Sequence, residues 1–179
     1  MRLSRLATVL ALAMASQVQA ADCSALLQQH LASDMALPLD AFDQDDHQGW
    51  RPLGDTGCEA EAATLIAAYA ARQAHPAQVL TWHRAQMLAK SGRTADAIAA
   101  ARQTLRADDD DSGFDWNDYA NATIAFLQGD KPALQASRDR LAAAVAKSEF
   151  NVPNLRSTDR LLKCFGRPYK VAYSCPSTP

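Results

Sequence analysis

No stretch of this chain alternates β-branched and polar residues over the length of a strand, whereas alanine-rich segments with apolar residues three and four apart fill its middle. A period near 3.6 with strong helix formers dictates helices, so the expected class is all-α. Asp22 to Ser33 reads as a short helix capped by Asp22, with Leu27, Leu31 and Met35 along one side. Residues 36–57 carry Pro38, Gly49, Pro52, Gly54 and Gly57 and are expected to form a long loop. Helices then follow with short breaks: Glu59 to Ala74, a segment opened by Pro76 and stopped at Gly92, Thr94 to Arg106, Phe114 to Gln128, and one capped by Asp130 with Pro132 in its first turn. Leu105 falls on the apolar face of its segment and is expected in the core. Asn151 to Phe165 reads as the last helix, and Gly166 to Pro179 as an irregular tail.

The N-terminus begins Met-Arg-Leu-Ser-Arg, continues as an apolar run from Leu6 to Ala15, and ends in the small-residue stretch Ser16 to Ala20. These are the three regions of a cleaved secretory signal, with the cut expected after Ala20 or one residue later. The apolar run is shorter than the ~20 residues that span a bilayer as a helix. Cys23 lacks the lipobox before it, since Ala20 and Asp22 stand where a Leu-like residue and a small residue are required. Residues 21–179 are therefore expected as one α-helical domain, periplasmic or secreted, without membrane insertion.

Removing Arg2 and Arg5 from 18 basic residues leaves 16 against 20 acidic ones. That balance argues against nucleic acid as a partner. The cysteines, Cys23, Cys58, Cys164 and Cys175, form an even set in an exported chain, which favours two disulfides. Of three possible pairings, Cys23–Cys58 and Cys164–Cys175 are preferred, because each pair lies at one end of the chain. The first closes a loop of about 36 residues and is expected to contribute on the order of 3–4 kcal/mol. With no Cys-x-x-Cys and no His within four residues of a Cys, no metal site is expected, nor any cofactor.

Two segments share a pattern. One runs Trp82, Ala85, Leu88, Gly92, Ala97, Ala101, Leu105; the other runs Tyr119, Ala122, Ala125, Gly129, Leu134, Arg138, Leu141. Each is a helix, a glycine turn and a second helix, and the glycines are 37 residues apart. The segment WHRAQMLAKSGRTADAIAAARQTL resembles the tetratricopeptide-repeat family, and YANATIAFLQGDKPALQASRDRLA resembles it more weakly. Repeats would cover about residues 78–107 and 115–146. Trp82 lies one position later than the family's aromatic, and the proline after the second helix is missing, so a generic stack of helical hairpins is the alternative. FDQDDHQGWRPL and CFGRPYKVAY also resemble segments of exported proteins of gammaproteobacteria, a resemblance that carries no activity. The implied architecture is a short tetratricopeptide-like α-solenoid of stacked antiparallel hairpins, with a disulfide-tied N-terminal loop and C-terminal tail.

In such arrays the first helix of each hairpin lines a concave groove, so the resemblance places Trp82, Gln86, Lys90, Trp116, Tyr119 and Thr123 on a binding surface for a protein or peptide. The competing position for Trp82 and Tyr119 is the core between helices. No nucleophile motif, metalloprotease motif or complete calcium loop is present: Asp108, Asp110, Ser112 and Gly113 begin a calcium loop, but Tyr119 stands where its glutamate is needed. His83 with Glu59 or Glu61 is a conceivable acid/base pair that no spacing demands. The expectation is a binding module rather than an enzyme; an enzyme or enzyme inhibitor acting through the FDQDDHQGW loop is the alternative.

Overall fold

A computed structural model describes residues 22–107 and 113–176, so the signal segment and the acidic linker at 108–112 lie outside the described residues. The described residues are helical and contain no strand. The elements are α1 (22–33), α2 (Leu39–Gln44), α3 (Arg51–Asp55), α4 (Glu59–Ala70), α5 (Gln78–Lys90), α6 (Thr94–Arg102), α7 (Trp116–Gln128), α8 (Lys131–Val145), a 3-10 turn at Glu149–Asn151, α9 (Val152–Lys163) and α10 (Tyr169–Tyr173). The chain divides into two compact units between Arg72 and Gln73. No helix among the described residues is long and apolar enough to cross a membrane.

The first unit holds α1 to α4. Its residues 36–57 are not the long loop the prolines and glycines suggest, because they fold into α2 and α3. Pro38 is extended and sits immediately before α2, and Pro52 occupies the first turn of α3, where its missing N–H is no loss. Phe42 and Leu53 are fully buried, and Phe42 stacks on Tyr69 of α4 at 3.7 Å between ring centroids. Those anchors, which local sequence cannot supply, outweigh the turn formers. Two buried carboxylates organise the turns. Asp34 accepts from His30 Nδ1 at 2.6 Å, from the Ser33 hydroxyl and from the Gly49 N–H at 2.8 Å, while Asp43 accepts from Trp50 Nε1 at 2.9 Å. Gly49 has φ +62°, and a Cβ there would lie 1.9 Å from the Phe42 carbonyl oxygen, so the position admits only glycine. Cys23 is joined to Cys58, as its place in the chain suggests, which ties α1 to the residue preceding α4. Helix α1 takes in Asp22 itself, and α4 ends at Ala70 rather than Ala74.

The second unit holds α5 to α10. Helices α5 and α6 pack on each other across Gly92, and α7 and α8 across Gly129; both glycines have positive φ. Asp115 caps α7 by accepting from the Asp118 N–H, and Asp130 caps α8 by accepting from the Ala133 N–H, with Pro132 in the first turn as expected. Two expectations fail here. Helix α6 stops at Arg102, four residues early, because the Thr104 carbonyl is taken by Trp116 Nε1 at 2.7 Å and by the Gln78 amide. Leu105 is consequently 37 % exposed rather than part of the core. The C-terminal stretch is not irregular throughout either: α10 buries Tyr169 and Ala172 against α9 and α5, and the Cys164–Cys175 disulfide fastens it. Both disulfides are bonds of an oxidising compartment.

Candidate functional site

Of the six residues that the repeat resemblance assigns to a groove, most face inward. Trp82, Gln86, Tyr119 and Thr123 are buried, Trp116 is half-buried, and Lys90 is half-buried at the end of α5. The Trp82 ring meets Trp116 edge-on at 5.1 Å and Tyr119 at 5.0 Å. Gln86 Nε2 donates to the hydroxyls of Tyr119 at 3.3 Å and Tyr173 at 3.2 Å, so α10 lies over the positions a concave groove would need open. Burial pushes the Tyr119 and Tyr169 hydroxyls well up from the ordinary tyrosine range, and the neighbouring Tyr173 adds to it. Lys90 Nζ stands 5.5 Å from the Tyr173 ring centroid. Trp82 and Tyr119 are core, for the reason large aromatics at helical spacing usually are: each buries a great deal of apolar surface.

Open surface of this unit lies elsewhere: one cleft, of about 450 Å³, includes Lys90 together with Gly92, Gly129 and Arg167. A cleft of about 700 Å³ runs between α8 and α9, lined by Lys131, Gln135, Arg138, Arg156, Asp159, Arg160, Leu162, Lys163 and Pro176. Five of these side chains are cations and one is a carboxylate, a net lining charge of +4 in a chain that is acidic overall. On α8 the donors Lys131, Gln135 and Arg138 recur at four and three residues, and on α9 Arg156, Arg160 and Lys163 recur at the same intervals, so each helix turns one polar stripe toward the cleft. Helix α9 forms because apolar Leu155, Leu161 and Leu162 alternate with these polar residues at helical spacing, and Leu161 is buried. Arg138 Nε donates to Asp159 Oδ1 at 2.7 Å and a second nitrogen reaches Asp139 at 3.3 Å. The Asp159 bond, against some desolvation, holds the Arg138 guanidinium above its ordinary pKa. Lys163 Nζ donates to the Pro176 carbonyl at 2.9 Å. Neither Lys131 nor Arg156 pairs with a carboxylate among the described residues.

Chemically, this lining offers positive charge and hydrogen-bond donors. Its one carboxylate is already bound to Arg138, so no acid stands opposite a base. No family model, curated protein or solved structure matches this chain.

The other candidates from the sequence are structural in their surroundings. Asp43 holds Trp50, and Asp45 accepts from the His47 N–H and Gln48, which caps the turn and lowers its pKa. Glu59 is buried at the start of α4 in the first unit, and His83 is half-buried on α5 in the second. The group of Cys23, Cys58 and Glu61 is close enough to surround an ion, but its two sulfurs are bonded to each other. Sequence reasoning passed over the α8–α9 cleft. The signal was present in Arg156, Arg160 and Lys163, whose spacing sets three cations on one helix face, but that spacing alone is also that of an ordinary solvated surface.

Proposed function

We propose that this chain is an exported, periplasmic or secreted, helical interaction module that binds a protein or peptide and performs no catalysis of its own. The observation that carries the reading is the α8–α9 cleft: open, about 700 Å³, and lined by side chains of one dominant charge rather than by a paired acid and base. The tripartite N-terminal segment and the two disulfides support export. The hairpins α5–α6 and α7–α8, with glycine turns 37 residues apart, support a short tetratricopeptide-like array as the scaffold. The binding surface in this reading is the cleft beside the array and not its first-helix face, where the aromatic cluster is closed by α10.

Site-specific photo-crosslinking tests this. A benzophenone side chain replacing Gln135, in the cleft, should capture an identifiable polypeptide in the compartment where the protein resides. The same group replacing Gln103, an exposed position just after α6, should not. Equal capture at both positions, or none at Gln135, overturns the assignment.

A further inference from the structure

The two stripes of the cleft have a measurable repeat. Along α9, Arg156 and Arg160 are four residues apart and Arg160 and Lys163 three, which at a rise of 1.5 Å per residue places their attachment points about 6 and 4.5 Å apart. Lys131 and Arg138 on α8 are seven residues apart, about 10 Å. In an extended peptide, alternate side chains point the same way and recur about every 6.6 Å. Carboxylates on alternate residues of an extended strand therefore match the step from Arg156 to Arg160, and a cleft of about 10 Å takes about three or four such residues, two of them carboxylates.

Three features of the cleft select among anionic partners. A bilayer is flat, whereas this surface is concave. No aromatic side chain lines the cleft for a base to stack on, so single-stranded nucleic acid lacks its usual platform. Arginine supplies forked donors that fit a planar carboxylate, and three of the five cations are arginines. We propose that the α8–α9 cleft takes an extended acidic peptide segment with Asp or Glu on alternate residues, read by Arg156 and Arg160, with the other cations of the lining adding positive charge. This rests on the reading of the chain as a peptide-binding module and supplies the chemistry of its ligand.

The probe is a capped, fluorescent nonapeptide with Glu at alternate positions, titrated into the oxidised mature protein at low salt. It should bind, and the affinity should fall steeply as salt is raised. The Glu-to-Gln peptide should not bind. A peptide of the same composition with its Glu residues in one block should bind several-fold more weakly. Arg156→Glu should weaken binding by about tenfold, since reversal removes one attraction and adds one repulsion, and Arg156→Glu with Lys131→Glu should weaken it further. Both residues are exposed and neither pairs with a carboxylate among the described residues, so the fold should survive. Arg102→Glu, an equal charge change on exposed α6, should leave binding unchanged and controls for net charge. Equal binding of the Gln peptide, no effect of Arg156→Glu, or no binding of either acidic peptide overturns the proposal. So does Arg156-dependent binding of phosphatidylglycerol vesicles or oligothymidylate in place of the acidic peptide. If the acidic peptides fail while the Gln135 crosslinker still captures a polypeptide, this ligand chemistry is wrong and the module stands; if both fail, the module falls with it.

Discussion

Replacing Asn151 should separate two kinds of damage that the fold otherwise mixes. Its side chain has no exposed surface and ties together three pieces of the second unit. Oδ1 accepts from the Asp115 N–H at 2.8 Å, while Nδ2 donates to the Gly113 carbonyl at 2.7 Å and to the Ala144 carbonyl at 3.1 Å. Asn151→Ala removes all three bonds. The Ala144 carbonyl keeps the N–H groups of Lys147 and Ser148, so its loss is small. The Asp115 N–H and the Gly113 carbonyl lose a buried partner, at about 1–2 kcal/mol each, and a small cavity adds to this. The expected destabilisation is about 2–4 kcal/mol. Asn151→Asp keeps the shape and the acceptor but turns a donor into a carboxylate oxygen facing two carbonyls. Repulsion and burial then raise the carboxyl's pKa in the folded state above its unfolded value of about 3.9. Between those two values the folded state binds more protons than the unfolded one, so stability falls as pH rises through the window and recovers as pH falls. Urea unfolding followed by circular dichroism, with a separate transition fitted for each unit, should therefore show an Ala deficit that is flat with pH and an Asp deficit that shrinks from pH 7 toward pH 4. An Ala variant within 0.5 kcal/mol of the parent, or an Asp deficit that does not change with pH, would refute the account.

Two further outcomes follow from the same kind of accounting. Gly49→Ala should cost about 2–5 kcal/mol, since a positive φ is combined with a Cβ placed against the Phe42 backbone, whereas Gly129→Ala, with positive φ but nothing within 4 Å, should cost only about 1–2 kcal/mol; thermal melts of the two variants give the comparison, and equal costs would deny the steric part. Burial alone would raise the Asp34 carboxyl, but the bonds from His30, Ser33 and the Gly49 N–H prevail and hold its pKa below the ordinary value, so its stabilisation is present above about pH 4 and is lost as pH falls through the unfolded and then the folded pKa. The stability gap between the parent and Asp34→Asn should accordingly narrow below pH 4, and a gap that stays constant from pH 6 to pH 3 would count against the hydrogen-bonded carboxylate.

What the sequence determined by itself is what short-range physics decides. The absence of strand patterning and the alanine-rich helical periods led to an all-α chain, because helix hydrogen bonds close within four residues. Gly92 and Gly129 marked their turns, and Asp130 with Pro132 marked the start of α8, because caps are satisfied locally. The two disulfides were legible from the number of cysteines and their position in the chain. What only the tertiary structure decided depends on partners far along the chain. Helices α2 and α3 exist because Phe42 finds Tyr69 and Asp43 finds Trp50, and α10 exists because Tyr169 and Ala172 are buried and Cys175 is tied to Cys164. Thr104 ends α6 through bonds from Gln78 and Trp116, which no window around Thr104 contains. The site shows the same division. Periodicity put Trp82, Gln86, Tyr119 and Thr123 on common helix faces, but only the packing of α10 over Gln86 turned those faces inward. The cationic cleft exists because α8 and α9 pack so that two stripes from separate helices face one space, and a helix alone cannot specify what stands opposite it.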